Sequence, residues 1–312
     1  MKELWTEKYR PKLLKDYVVR DENQRQQIQG WIRDGAIPHL LFSGAPGTGK
    51  TTLAKVLFQE LNVDPYDMLE INASRENSVD TVRDKIINFV QIMPFGAYKY
   101  VLLDEADYIT PNGQAALRGV MEMYHTSARF VLTCNYPNRV IPALHSRCQG
   151  FHIETLDKNE FTARIAEILI TEGIEPNIDL IDTYVKATYP DMRKCINMVQ
   201  MNSRDGQLHA PDKSDRGQAD YRLEMVELFK KGKILDARKL ICSQARPEEV
   251  EEIFRWLYDN LDLISKDDEG QDKAILAIKQ GLVDHSFVAD PEINLAATMI
   301  KLARIQTEQQ ND

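Results

Sequence analysis

The stretch Leu40–Phe58, LLFSGAPGTGKTTLAKVLF, sets three glycines between two apolar runs, with Lys50 and Thr51 directly after the last of them. An ordinary turn from strand to helix needs fewer flexible residues than this. Gly44, Ala45, Pro46, Gly47, Thr48, Gly49, Lys50 and Thr51 fit the pattern G-x-x-x-x-G-K-[ST], after a strand-like segment and at the start of a helix-like one, with Thr52 one step further in. Glycines at these positions let backbone N–H groups turn inward around a phosphate. Lys50 supplies a positive charge to the β and γ oxygens, and the Thr51 hydroxyl is placed to ligate Mg²⁺. The loop therefore predicts a nucleoside triphosphate with Mg²⁺ as its ligand.

Some fifty residues later the chain reads YVLLDEAD (100–107), an apolar run ending in two acids. Asp104 suits the shell of the metal, and Glu105 suits the orientation or activation of a water. Two acids after a strand are ordinarily a solvated turn. Downstream of an intact phosphate loop they predict hydrolysis rather than binding alone.

The 312 residues exceed one typical domain, and a hydrophobic share of 43% is enough for packed cores. No apolar run approaches the roughly 18 residues that span a bilayer, and MKELWTEKYRPK has no signal-like apolar block. The expectation is a cytoplasmic protein with no membrane contact, in the host cytoplasm if a phage encodes it. Cys134, Cys148, Cys195 and Cys242 form no CxxC pair, the six histidines have no metal-ligand spacing, and reduced thiols are expected. The net charge of −9 is unevenly placed. Residues 1–150 hold 18 basic and 17 acidic side chains, residues 151–312 hold 21 and 31, and so a local basic surface in the first half stays open.

HLLFS (39–43), MLEIN (68–72), YVLLD (100–104) and RFVLTC (129–134) read as buried strands. Between them lie helical spacings such as Val79, Val82, Ile86 and Val90. Strands alternating with helices predict an α/β core, a parallel sheet with helices on both faces, over 1–154. Two helical stretches come next in a small unit at 155–204, with Phe161, Ile165 and Ile168 on one stripe. The polar run SRDGQLHAPDKSDRGQAD (203–220) reads as a connector, with the linker placed at 205–220. An all-α domain is expected over 221–312, where Val250, Ile253, Phe254, Leu257 and Leu261 keep helical spacing behind Pro247.

These motifs, in this order, resemble the AAA+ ATPases, and within them the clamp-loader small subunits of the replication factor C family. WTEKYRP (5–11) looks like that family's N-terminal box, which packs on adenine, so Tyr9, Arg10 and Pro11 are implied nucleotide contacts. INAS (71–74) resembles the end of the second strand. TCNY (133–136) carries Asn135 in the place of the sensor 1 residue, and PDMRKCIN (190–197) carries Arg193 in that of sensor 2. The SRC tripeptide (146–148) matches the motif whose arginine, here Arg147, reaches the γ-phosphate held by a neighbouring subunit. The match covers residues 1 to about 200. The last hundred residues fit by helical character and length as the collar that holds five subunits in a ring. They look most like the T4-like phage version, with an archaeal small subunit as the alternative. After INAS the family continues Asp-Glu-Arg-Gly, whereas this chain reads RENSVD (75–80), so the residue coupling DNA to the glutamate is not assigned between Arg75 and Asn77.

The resemblance implies ATP and Mg²⁺ as ligands. It also implies a sliding clamp, primer–template DNA and other loader subunits as partners. DNA would be held by its backbone, without base readout. Two helices are expected to start near Ser78 and Pro111, with Asn112 in the first turn of the second, and helix N-termini suit phosphate. Arg83 and Arg118 lie one to two turns in, and their plain alternative is pairing with Asp80 or Glu122. Arg147 and Arg193 have the same alternative as solvated charges, and Asn135 as a turn residue ahead of Pro137. Ile92, Met93 and Phe95 in FVQIMPFGAYK (89–99) read either as an apolar contact tip or as packing under a loop. Two rival functions are a branch-migration helicase and a ring member that binds ATP without hydrolysing it. The first calls for pore-loop residues and a C-terminal winged helix, and the tail shows neither strands nor basic clusters. Loss of the acid after Asp104 would mark the second, and Glu105 is present.

Overall fold

A computed structural model describes residues 3–19, 21–75, 79–210, 221–246 and 249–309. Ser78, Asn77 and Pro247 lie outside the described residues, as does 211–220 of the expected connector. The chain divides into two compact units, one of residues 1–161 with 190–197, the other of 162–189 with 198–312.

The first unit runs through α1 (Trp5–Lys8), α2 (Glu22–Asp34), β1 (Leu40–Ser43), α3 (Lys50–Glu60), β2 (Met68–Asn72), α4 (Val79–Val90) and β3 (Lys99–Asp104). It continues with α5 (Pro111–Met123), β4 (Ala128–Cys134), α6 (Pro142–His145) and β5 (Gln149–His152). The strands form a parallel sheet of order β2-β3-β4-β1-β5. Alternation along each strand sends side chains to opposite faces. Leu41, Val101, Leu103, Phe130 and Leu132 pack with Ile86, Val90, Leu117 and Met121 of α4 and α5. Leu40, Phe42, Tyr100, Leu102 and Val131 pack with Ile28, Leu53, Leu57 and Phe58 of α2 and α3. The helices thus cover both faces, as the strand–helix alternation predicts.

The four expected strands appear within a residue of their apolar runs. β5 has no counterpart in the sequence reading, because QGFH buries only Phe151 and becomes a strand by pairing with β1. The register of the sheet brings the strand ends together. Ser43 pairs with Cys134, Asn72 with Asp104 and Leu103 with Leu132, so β1, β3 and β4 end at one edge of the sheet. Ligands of open parallel sheets bind outside this carboxyl edge.

The second unit takes most of α7 (Lys158–Thr171), α8 (Ile178–Thr188), the end of α9 (Met192–Met201), α10 (Tyr221–Lys230), α11 (Ile234–Gln244), α12 (Val250–Asp259), α13 (Asp268–His285) and α14 (Pro291–Gln309). Residues 203–208, read as the start of a connector, form instead a small hairpin of β6 (Ser203–Arg204) and β7 (Gln207–Leu208) around Asp205 and Gly206, both at positive φ. The stripe on α12 stops short of Leu261, which falls in a separate 3₁₀ turn. Asn260 ends the helix there by turning its amide back onto the Trp256 carbonyl at 2.9 Å. Among the described residues no helix is long and apolar enough to cross a membrane.

Gly281 sits at a tight crossing of α13 with α12 and α14. A Cβ placed on it would meet Thr298 Oγ1 of α14 and come within 2.7 Å of Phe254 Cε1 on α12. Gly281→Ala should therefore destabilise the unit by about 1–3 kcal/mol through overpacking, read as an earlier urea midpoint. An unchanged midpoint would show that α13 and α14 part without cost.

Candidate functional site

At the carboxyl edge of the sheet the loop after β1 turns on Gly44, Gly47 and Gly49, at φ of 151°, 77° and 92°. The last two lie in the left-handed region that side chains avoid. Close neighbours add a second reason for glycine. A Cβ on Gly47 would run into the Asp191 carboxylate, and one on Gly49 would lie 3.1 Å from the Tyr17 ring. α3 starts at Lys50 with no side-chain cap on its first N–H groups, which leaves them to a ligand. Lys50 is buried, its amine donating to the Gly44 and Ala45 carbonyls at 2.9 and 2.7 Å. Burial lowers its pKa, Cys134, Asp104 and Asp107 push it back up, and Arg193 lowers it again. Thr48 closes the loop with a 2.9 Å bond to the Ala45 carbonyl.

Asp104 ends β3 beside this loop. Its Oδ1 accepts from Thr51 Oγ1 and from Thr133 Oγ1, each at 2.6 Å. The expected metal pair, Thr51 and Asp104, is thus already in contact. Among the described residues no group of three or more His, Cys, Asp or Glu is placed to hold a metal. One carboxylate and one hydroxyl are a donor set that fits Mg²⁺, which keeps several waters and takes its remaining oxygens from substrate phosphates. The residues present fit a Mg²⁺–nucleotide.

Glu105 comes next in a left-handed conformation, φ 58°, and donates its backbone N–H to Thr133 Oγ1 at 3.0 Å. A non-glycine residue held there is strained, and such strain clusters at functional sites. Thr133 therefore bridges both acids, and sequence reasoning missed it. It missed Asp107 as well, whose Oδ2 accepts from the N–H groups of Asn135 and Tyr136 at 3.3 and 3.2 Å while Oδ1 is buried without a hydrogen bond. The last letter of DEAD was the available signal. Asp107 fixes the backbone that carries Asn135 at the end of β4.

Arg193 is exposed near the start of α9, close enough to Lys50 to act on its charge. Asp191 caps that helix, accepting from the Lys194 N–H at 3.0 Å, and lies on Gly47. A cavity beside Gly49 is lined by Tyr17, Val18, Val19, Leu53, Phe151 and Ile153 among others. Tyr9, Arg10 and Pro11 are not in its lining. Tyr9 packs edge-on to Trp5, and Arg10 pairs with Glu7 at 3.1 Å.

Arg147 stands just past α6. Its guanidinium pairs with Glu122 of α5 and donates to the Ala143 carbonyl at 2.8 Å. Arg118 lies 3.7 Å from the same carboxylate, and Arg83 lies 3.5 Å from Asp84, so each of these charges has a nearby acid. Asn112 is exposed in the first turn of α5, whose cap Thr110 accepts from the Gly113 N–H at 3.3 Å. Ile92, Met93 and Phe95 are 60%, 86% and 76% exposed, which decides for a surface tip over packing beneath a loop. A buried ion pair holds that tip, with Asp67 accepting from Lys99 Nζ and from the Phe95 and Gly96 N–H groups.

Residues 40–155 match the family model described as ATPase family associated with various cellular activities (AAA). The replication factor C small subunit of Sulfurisphaera tokodaii is 36% identical over 96% of this chain and 95% of that protein. The namesake from Archaeoglobus fulgidus is 40% identical over 77% of each. The chain belongs to the replication factor C small subunit family. These relatives are archaeal, and they replace the phage likeness expected from the sequence; that likeness rested on the compact collar helices and the ending EINLAATMIKLARIQ (292–306), a helical pattern that many helical domains share. Among solved structures, the RuvB Holliday junction branch migration motor of Thermotoga maritima superposes with a TM-score of 0.53 at 16% identity, covering 73% of this chain and 78% of that one. At that identity the likeness is one of fold. An AAA ATPase domain and membership of the replication factor C small subunit family together make this an ATPase chain.

Proposed function

We propose that the chain is the ATPase subunit of a DNA-replication sliding-clamp loader. ATP binding assembles a five-membered ring that opens the clamp and grips primer–template DNA, and DNA-triggered hydrolysis leaves the clamp on the DNA. The observation that carries this reading is the hydrogen-bonded set Thr51, Asp104 and Thr133, with Lys50 bonded to the phosphate-loop carbonyls, in a chain of the replication factor C small subunit family.

Each residue has a definite task. The backbone from Gly44 to Thr52 wraps the phosphates, Lys50 leaves its two carbonyls for the β and γ oxygens, and Tyr17, Val18 and Val19 line the base cavity. Thr51 and Asp104 hold Mg²⁺, which supplies charge neutralisation on the transferring phosphate. Glu105 orients the attacking water and takes its proton. Asn135 holds that water from the β4 side, and Arg193 contacts the γ-phosphate. Arg147 completes the site of the next subunit in trans. Arg83, Arg118 and the N-termini of α4 and α5, with Ser78 and Asn112, track the DNA backbone. Ile92, Met93 and Phe95 meet the clamp. The domain plan is a core at 1–154, a lid at 155–204 extended by the hairpin to 208, a linker from there to 220 and a collar at 221–312, working in the cytoplasm.

A clamp-retention assay tests this. The chain, assembled with the subunits encoded beside it, is mixed with sliding clamp, ATP and singly nicked circular DNA. Clamp should co-elute with the circle only when ATP is present. Turnover of ATP accompanied by branch migration, with no clamp on the circle, would favour the helicase reading instead.

A further inference from the structure

We propose that Glu122 is a positioning residue for Arg147 and relays DNA contact on α5 to that guanidinium. The inference rests on the reading of Arg147 as the residue that completes a neighbouring site.

Three acceptors on two segments, α5 and α6 with its C-cap, meet the Arg147 guanidinium. Glu122 Oε1, from the last turn of α5, pairs with Nη2. Nη1 donates to the Ala143 carbonyl of α6 at 2.8 Å and to Ser146 Oγ at 3.3 Å. Nε takes part in none of these bonds. A guanidinium is a rigid planar fork, so fixing its Nη1 side and one Nη2 hydrogen sets the direction of the donors that remain. Arg147 is 31% exposed and Glu122 45%. Pairs this open to water add little to stability, so the contact serves geometry.

The same oxygen, Glu122 Oε1, lies 3.7 Å from Nε of Arg118, one turn earlier on α5. Two cations share one carboxylate oxygen. A DNA phosphate that draws Arg118 to itself leaves Glu122 to Arg147 alone and tightens the hold on its guanidinium. The two segments keep their spacing through Gln114, which is buried in α5. Its amide donates to the Ile109 and Arg139 carbonyls at 2.9 and 3.0 Å and accepts from the Ile141 N–H at 2.8 Å, just ahead of α6. A change in pairing at Glu122 is therefore felt at Arg147 rather than absorbed between the helices.

The test measures kcat and KM for ATP in the assembled ring, with and without primer–template DNA. Glu122→Gln should lower the DNA-stimulated kcat about tenfold, the scale of a modest misplacement, and leave KM and the melting temperature unchanged. Glu122→Asp, which keeps the charge, should recover part of the loss. In an Arg147→Ala background Glu122→Gln should cost nothing further. If Arg147→Ala abolishes stimulation and Glu122→Gln does not change it, the finger stands and the positioning role falls. If Arg147→Ala is itself silent, both fall. An equal loss from Glu122→Gln with and without Arg147 would also overturn the proposal, because the glutamate would then act by another route.

Discussion

Arg147→Ala should lower the DNA-stimulated ATPase rate of the assembled ring by about 10³-fold or more, at the scale of arginine fingers elsewhere. Charge builds on the transferring phosphate, and a guanidinium supplied by the neighbour offsets it where water is excluded. The guanidinium is held by Glu122 of α5 and the Ala143 carbonyl of α6. Nucleotide affinity of the isolated subunit should therefore be untouched, and titration with a fluorescent ATP analogue checks this. A variant that loses nucleotide binding would place Arg147 in its own site. One that hydrolyses at the wild-type rate would remove it from catalysis.

Glu105→Gln should reduce turnover by about 10²–10⁴-fold while ATP and Mg²⁺ still bind, since general-base assistance is worth that much. Lys50, Thr51 and Asp104 remain in place, and the amide is isosteric with the acid. The left-handed backbone at Glu105 and its bond to Thr133 Oγ1 are main-chain features that the substitution keeps. Rapid mixing with radiolabelled ATP separates the two steps. Bound but unhydrolysed nucleotide is the expected result, and loss of binding would show that Glu105 belongs to the metal shell instead.

The sequence made the phosphate loop and the DEAD segment legible because their chemistry is written in consecutive residues. Strands β1, β3 and β4 were legible for a related reason, being apolar runs buried on both faces, whereas β2 is an edge strand in which only Ile71 is buried. β5 was not legible, because QGFH has one buried residue and acquires its strand identity from the neighbour it pairs with. The same holds inside the site. Thr133 and Asp107 look like ordinary polar residues until the register of β3 against β4 places them beside Asp104 and Asn135. Tyr17 and Asp191 press on the glycines from distant parts of the chain, and no local pattern carries that. Arg147 was visible only through a family tripeptide, and its tie to Glu122 became visible only once α5 and α6 were placed. Leu261 kept helical spacing and still fell outside α12, because a side-chain amide at Asn260 closed the helix first.

The measurement that bears most directly on the account is steady-state ATP hydrolysis by the chain assembled with its co-encoded subunits, with and without primer–template DNA at fixed salt. A DNA-dependent rise in rate that Arg147→Ala abolishes, with ATP binding retained, is the predicted result. A rate that ignores DNA, or a rise that survives without Arg147, would contradict it.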